Sequence, residues 1–461
     1  MAGPTHSPYV SKYSPRPSAE HEGPEGSPES NGKTASVLPA PNTFSQYKQN
    51  KQLSEKGPMK LNPRGESGRR GIHPWHFLRI CFRSASKAST LCNLLWPFVP
   101  AALAVRYSLE GNHLLKFALL YVAMVPCANL VGFAGQELAQ KMPHVFGVLT
   151  EITFGSVVEI ILFVVLLVEN QFYVIKAAIL GSILATMLLC LGFCFFVGGL
   201  KRTEQTFSDA ISETGSGLLL TAGAVLSVPT LFRLGLGEYG LDEEHLNADT
   251  LNISRIIAVL LIIAYAVFVY FQVRTHHGIY DAIFEYDEHR DADKAKDMAK
   301  DKLTLTECII SLTISLALVT VISINLVLEI HYVIAESSVS DPFMGLILVP
   351  LVEKFAEHLT AIDEAWDNQM NFALSHVLGA TIQTTLFNGP LVVIIGWGLN
   401  RSMDLQFEVF NLAMLILAIL TVGRFLQDQK SDYLEGFLCV TLYVAIAVSA
   451  WHYPNPVSTH H

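Results

Sequence analysis

Charged residues are scarce in this chain: Asp, Glu, Lys and Arg make up 16% of 461 residues, where soluble domains carry about 25%. With 51% hydrophobic residues, that deficit excludes a single soluble core. A cysteine framework is also missing. The seven cysteines are scattered, mostly within apolar runs, and only Cys190 and Cys194 stand one helical turn apart. Packing is the expected role for them, rather than disulfide or metal chemistry. Neither H-E-x-x-H nor G-x-S-x-G occurs, so an intramembrane hydrolase is not expected. A net charge of −10 gives nucleic acid no basic surface to bind. Nothing indicates a resident cofactor, and no cleavable leader is expected ahead of the first apolar span.

What the chain has instead is long uncharged stretches. Residues 177–200, 256–273, 308–328 and 372–400 contain no Asp, Glu, Lys or Arg, and each is long enough for a transmembrane helix. Eleven spans can be drawn, at 88–107, 114–136, 143–168, 173–200, 212–232, 254–273, 303–330, 343–365, 372–399, 407–424 and 434–452. Backbone groups in lipid must be satisfied internally, so the spans are expected to be helices and the chain an all-α polytopic membrane protein. Lys60, Arg64, Arg69, Arg70, Arg79, Arg83 and Lys87 precede the first span with only Glu66 opposing them. Basic flanks stay in the cytosol, which predicts a cytosolic N-terminus and, after eleven spans, a C-terminus on the far side. The sequons at Asn252 and Asn400 then both fall outside the cytosol.

The organisation follows from these spans. Residues 1–87 read as a disordered cytosolic tail with a basic membrane-proximal end, because its Pro, Ser, Gly and Glu cannot bury enough apolar surface. Residues 88–273 hold the leading span and a first five-span repeat, 303–453 hold a second, and 454–461 form a short tail. Between the repeats, 274–302 carry eight acidic and six basic residues. A solvated linker is expected there, with a helix held by i,i+4 pairs as the alternative.

The two repeats share a spaced pattern. Gly155-Ser-Val-Val-Glu159 is followed by Gly181-Ser182, and Glu353-Lys-Phe-Ala-Glu357 by Gly379-Ala380; one offset of 198 superposes both. Five spans per repeat is an odd number, so the second copy is inserted upside down. Secondary transporters use this inverted arrangement and hold their ions near the midplane. Glu159 and Glu357 both fall mid-span, where a carboxylate costs at least about 2.5 kcal/mol, so the symmetric pair reads as a binding site.

These segments resemble the cation/proton exchanger (CAX) family. In the first repeat the likeness rests on Thr153-Phe-Gly-Ser-Val-Val-Glu159, Lys176-Ala-Ala-Ile-Leu-Gly-Ser-Ile-Leu184, Gly198-Gly-Leu-Lys-Arg-Thr-Glu-Gln205 and Gly215-Ser-Gly-Leu-Leu-Leu220. In the second it rests on Ala356-Glu-His358, Gly379-Ala-Thr-Ile-Gln383, Pro390 and Gly396-Trp397. The resemblance implies an eleven-helix antiporter fold in a lipid bilayer, exchanging protons for cytosolic calcium or another cation across an acidic endomembrane such as the vacuole's. By the same resemblance the cation- and proton-binding residues are Glu159, Glu357, Gln383, Ser156 and Ser182, with Glu159 and Glu357 holding the metal ion. It leaves the oligomeric state open.

The chain also departs from the family. Where both family repeats read Gly-Asn-x-x-Glu, the first Asn is Ser156, and the second Gly-Asn is Glu353-Lys354. An upstream Asn corresponds to Glu151, a Ser-Asn to Ala185-Thr186, and a Ser to Ala380. Calcium takes six to eight oxygen ligands, so lost carbonyls matter. Lys354 matters more, because a lysine three residues from Glu357 shares its helix face and at about 4 Å would interact by about 4 kcal/mol. Two arrangements are open. Lys354 balances Glu151 or Glu353 and leaves Glu357 free, which the joint gain of acid and base favours. Alternatively it occupies a cation position and makes the site monovalent, proton-linked or silent. His358, next to Glu357, is a candidate for proton transfer. His376 has no family counterpart and reads as structural, and Asp363 and Glu364 read as a mouth that attracts cations or as a solvated helix end.

Overall fold

The computed structural model describes residues 67–454 apart from 70, 85, 238–241, 292–299 and 338. Most of the expected N-terminal tail, and residues 455–461 of the C-terminal one, lie outside the described residues. The chain is built from helices. They are α1 Pro74–Arg83, α2 Lys87–Cys92, α3 Phe98–Ser108, α4 His113–Ala139, α5 His144–Val168, α6 Phe172–Leu184, α7 Leu191–Lys201, α8 Asp209–Gly237 and α9 Glu243–Tyr270. They continue as α10 His277–Arg290, α11 Leu305–Glu336, α12 Asp341–Phe343, α13 Val349–Trp366, α14 Met370–Gln383, α15 Gly389–Gly398, α16 Val409–Phe425 and α17 Tyr433–His452. A two-residue antiparallel ladder, β1 Gln205–Thr206 with β2 Lys430–Ser431, ties the segment after α7 to the one before α17.

Among the described residues, eight helical stretches are long and apolar enough to cross a membrane. They coincide with eight of the eleven expected spans. The other three depart from a plain apolar helix for separate reasons. The expected span 88–107 is broken between α2 and α3 at Pro97, whose ring cannot donate a backbone hydrogen bond. Span 407–424 is the 17-residue α16. Span 343–365 runs through α12 and α13, whose apolar run is interrupted by the charged Glu353, Lys354 and Glu357.

Pseudosymmetry is visible in the packing. α6 passes into α7 through a π-helical turn at Ala185–Cys190, and α14 passes into α15 through another at Thr384–Asn388. The 198 offset brings these two turns into register. Wide turns of this kind interrupt the regular hydrogen-bond ladder and recur at functional sites. Close helix approaches repeat in the same way. Gly181 lies against Leu346 and Pro350, and Gly379 lies against Ile152, with no room for a Cβ at Gly181. Ile152 and Pro350 are themselves related by the offset, so each glycine contacts the other repeat at an equivalent position.

The described part of the linker departs from the solvated segment expected from its composition and takes the helical alternative. α10 folds, and it buries Tyr280, Phe284 and Asp287. Those three residues fall at helical spacing on one face. Asp287 accepts hydrogen bonds from the Asn371 amide at 2.7 Å, Asn371 Nδ2 at 2.8 Å and the Phe372 amide at 3.3 Å, capping the start of α14. Phe284 stacks on Phe372 with ring centroids 4.7 Å apart. The linker helix is therefore fastened to the helix that leads to Gln383. At the linker's far end, Arg83 at the end of α1 donates to the Asp301 carbonyl at 2.7 Å, and Arg69 donates to that of Lys302 at 2.8 Å.

Candidate functional site

The site forms where α5 and α13 cross the two π-helical turns. Glu159, on α5, is fully buried. Thr384 Oγ1 donates to its two oxygens at 3.0 and 2.9 Å, and Asn388 Nδ2 donates to Oε2 at 2.7 Å. Both donors come from the π-helical turn of the opposite repeat. The Lys354 ammonium completes this environment, with Nζ 2.8 Å from Glu159 Oε2.

The same nitrogen lies 3.2 Å from Glu357 Oε2. Lys354 is itself completely buried. Its ammonium therefore sits between the two repeat-related carboxylates, where the family resemblance places a cation. This corrects the favoured expectation. Lys354 does not balance Glu151, which faces His376 Nε2 at 3.4 Å instead. Glu353 is buried on the same helix and accepts a hydrogen bond from Ser182, while its Oε2 has no hydrogen-bond partner among the described residues.

The two carboxylates are chemically unequal despite the symmetry. At the repeat positions of Thr384 and Asn388 stand Thr186 and Cys190, which line one cavity with Glu357. The Thr186 hydroxyl is buried without a partner among the described residues, and the Cys190 thiol points to the His358 carbonyl at 4.0 Å. Glu357 instead faces this small cavity, which is also lined by Glu151, His358 and His376. Its side chain retains 17% exposure against none for Glu159. Gly155 makes room for it, because a Cβ there would overlap the Glu357 carboxylate.

The remaining expected residues divide. Ser156 turns away, donating to the Ile152 carbonyl of its own helix at 3.0 Å. Gln383 is buried beside the π-helical turn, with Oε1 lacking a partner among the described residues. His358 lines the cavity, and its Nε2 has no hydrogen-bond partner among the described residues. Glu364 is not a solvated helix end, since it accepts from or donates to His376 Nδ1 at 2.7 Å. Thr384 and Asn388 went unread in the sequence. The offset from Thr186 points to Thr384, but nothing points to Asn388, whose mate is a cysteine. Among the described residues no three His, Cys, Asp or Glu side chains are grouped to hold a metal ion. The ammonium takes the place where two of them converge.

Comparison with known proteins identifies the family. Residues 112–274 and 308–451 match the family described as "Sodium/calcium exchanger protein". The chain is 33% identical over 366 residues to "Vacuolar cation/proton exchanger 2" of Arabidopsis thaliana, covering 79% of this chain and 81% of that protein. It is 30% identical to the "Vacuolar calcium ion transporter" of Schizosaccharomyces pombe, covering 80% of this chain and 86% of that one. Among solved structures, native YfkE superposes with a TM-score of 0.64 at 27% identity, covering 78% of this chain and all of that one. A chain with this repeat, these paired carboxylates and these relatives belongs to the cation/proton exchanger family of the calcium/cation antiporter superfamily.

Proposed function

We propose that the protein is a proton-coupled cation antiporter that moves calcium from the cytosol into an acidic, vacuole-like compartment. The observation carrying this reading is the convergence of Glu159 and Glu357 on one buried positive charge. Buried carboxylates that meet around a cation are groups for which protons and metal ions compete. Charge supports a divalent cargo. Glu353 and Lys354 enter the site together, so with every group ionised it carries the same net charge of minus two as Glu159 and Glu357 alone. Lys354 remains with Glu159, which three donors surround, and the transported ion and protons exchange at Glu357 and Glu353. The N-terminus and α10 lie on the cytosolic side and the C-terminus on the other.

A second reading has its own observation. Lys354 also reaches Glu357, and an ammonium that neutralises both carboxylates favours monovalent cation/proton exchange or a membrane protein that no longer transports. One experiment separates them: proton flux from purified full-length protein in liposomes, driven in turn by calcium, manganese, sodium and potassium. Flux driven by a divalent ion and lost in Glu357→Gln supports the first reading. Flux with sodium or potassium only supports monovalent exchange, and silence with all four supports a scaffold.

A further inference from the structure

His376 lies on α14 within the cavity that Glu357 faces, and the transport reading gives it no role. Its two ring nitrogens face carboxylates from two other helices. Nδ1 is 2.7 Å from Glu364 Oε2 on α13, and Nε2 is 3.4 Å from Glu151 Oε2 on α5. The residue is 8% exposed, and Nε2 has no aligned hydrogen-bond partner among the described residues. A neutral imidazole has one N–H and one lone pair. Flanked by two ionised carboxylates, it would turn that lone pair on a carboxylate oxygen. The geometry is satisfied when the three groups share an additional proton, as an imidazolium or as a protonated carboxyl facing the ring.

We propose that Glu151, His376 and Glu364 form a proton-holding station in the cavity, separate from the cation site and exchanging protons with Glu357. The proposal rests on the antiporter reading for the fate of that proton. The other groups facing α14 fit the assignment. Glu357 and His358 line the same cavity, Cys190 lines it from the π-helical turn, and Asp287 of α10 is taken up by Asn371 and Phe372. When an incoming cation displaces the Glu357 proton, its O–H bond breaks and a new bond forms at the station, on Nε2 or on a carboxylate oxygen. The station's charge rises by one, and the proton later leaves to water.

The test reads protonation directly as well as transport. Infrared difference spectra of the full chain, with ring-labelled histidine, are recorded between about pH 5 and about pH 8, the window in which imidazole titrates. One component of the titrating signal from the 16 histidines is expected to be present in the parent, to be missing in His376→Gln, and to titrate at a different pH in Glu151→Gln. In liposomes, His376→Gln is expected to slow exchange about tenfold or more, in the range of lost proton transfer, and to move its pH profile by about one unit. Glu357→Gln should lose exchange and keep that component. If the parent shows no exchange, the antiporter reading fails while the component still decides the station. Should His376→Gln not fold, Glu151→Gln carries the test. A histidine signal identical in the parent and in His376→Gln, or a pH profile parallel to the parent's, would overturn the proposal.

Discussion

Lys354 and Glu159 come from opposite repeats, and their charged atoms lie 2.8 Å apart in the buried centre of the protein. The pair is a cross-repeat tie as well as part of an ion site. Its partners in sequence are misleading, since Glu353 and Glu357 share a helix with Lys354 while Glu159 does not. The local pair with Glu357 is the longer of the two, at 3.2 Å.

Removing the ammonium should leave the buried Glu159 and Glu353, and the cavity-facing Glu357, without their counter-charge. Lys354→Asn is expected to lower unfolding stability by about 3–5 kcal/mol, the range for orphaning a buried ion pair. Adding Glu159→Gln should recover most of that loss, and adding Glu151→Asn should recover none. Thermal unfolding of the purified single and double variants measures this, and rescue by Glu151→Asn would contradict the assigned pairing.

The unequal surroundings of the two carboxylates predict unequal mutants. Glu159→Gln places an amide against Thr384, Asn388 and Lys354, all of them donors, and is expected to cost several kcal/mol of stability. Glu357→Gln changes a side chain that faces a cavity and should cost about 1 kcal/mol or less while stopping proton-coupled flux. Equal melting temperatures for the two variants would mean that the asymmetry has no energetic content.

The two repeat-related glycines should differ as well. At Gly181 an added methyl meets the Leu346 backbone carbonyl, which cannot step aside, whereas at Gly379 it meets the tip of the Ile152 side chain. Gly181→Ala is expected to destabilise by about 3 kcal/mol, the upper part of the overpacking range, and Gly379→Ala by about 1 kcal/mol. Parallel thermal unfolding of the two variants gives the comparison.

Asp287 should make linker docking depend on pH. Burial pushes its carboxyl above the ordinary aspartate range, against the lowering effect of its hydrogen bonds to Asn371 and Phe372. For a carboxyl raised on folding, the stabilising contribution is complete below its unfolded value near 4 and is lost as pH rises through the folded value. Protease cleavage of the linker is therefore expected to speed up as pH rises from about 4, the unfolded value. Asp287→Asn should flatten that dependence, and an unchanged pH slope in the variant would remove Asp287 as its source.

By itself the sequence determined the membrane class, most of the spans and the paired carboxylates. Lipid demands continuous apolar helices, and an inverted repeat leaves a constant offset that requires no coordinates to read. It also held a signal that charge counting obscured. Tyr280, Phe284 and Asp287 share a helical face, yet eight acids and six bases in the linker suggested solvent. Tertiary structure alone decided the electrostatics of the site. Which acid Lys354 joins depends on how closely α5 approaches α13 and on the Thr384 and Asn388 donors that hold Glu159 in place. His376 likewise gains its carboxylates from two other helices, Glu364 from the neighbouring α13 and Glu151 from the distant α5. Propensity and periodicity act within a helix, whereas a buried charge is paired by whatever the packing of other helices brings within about 4 Å of it.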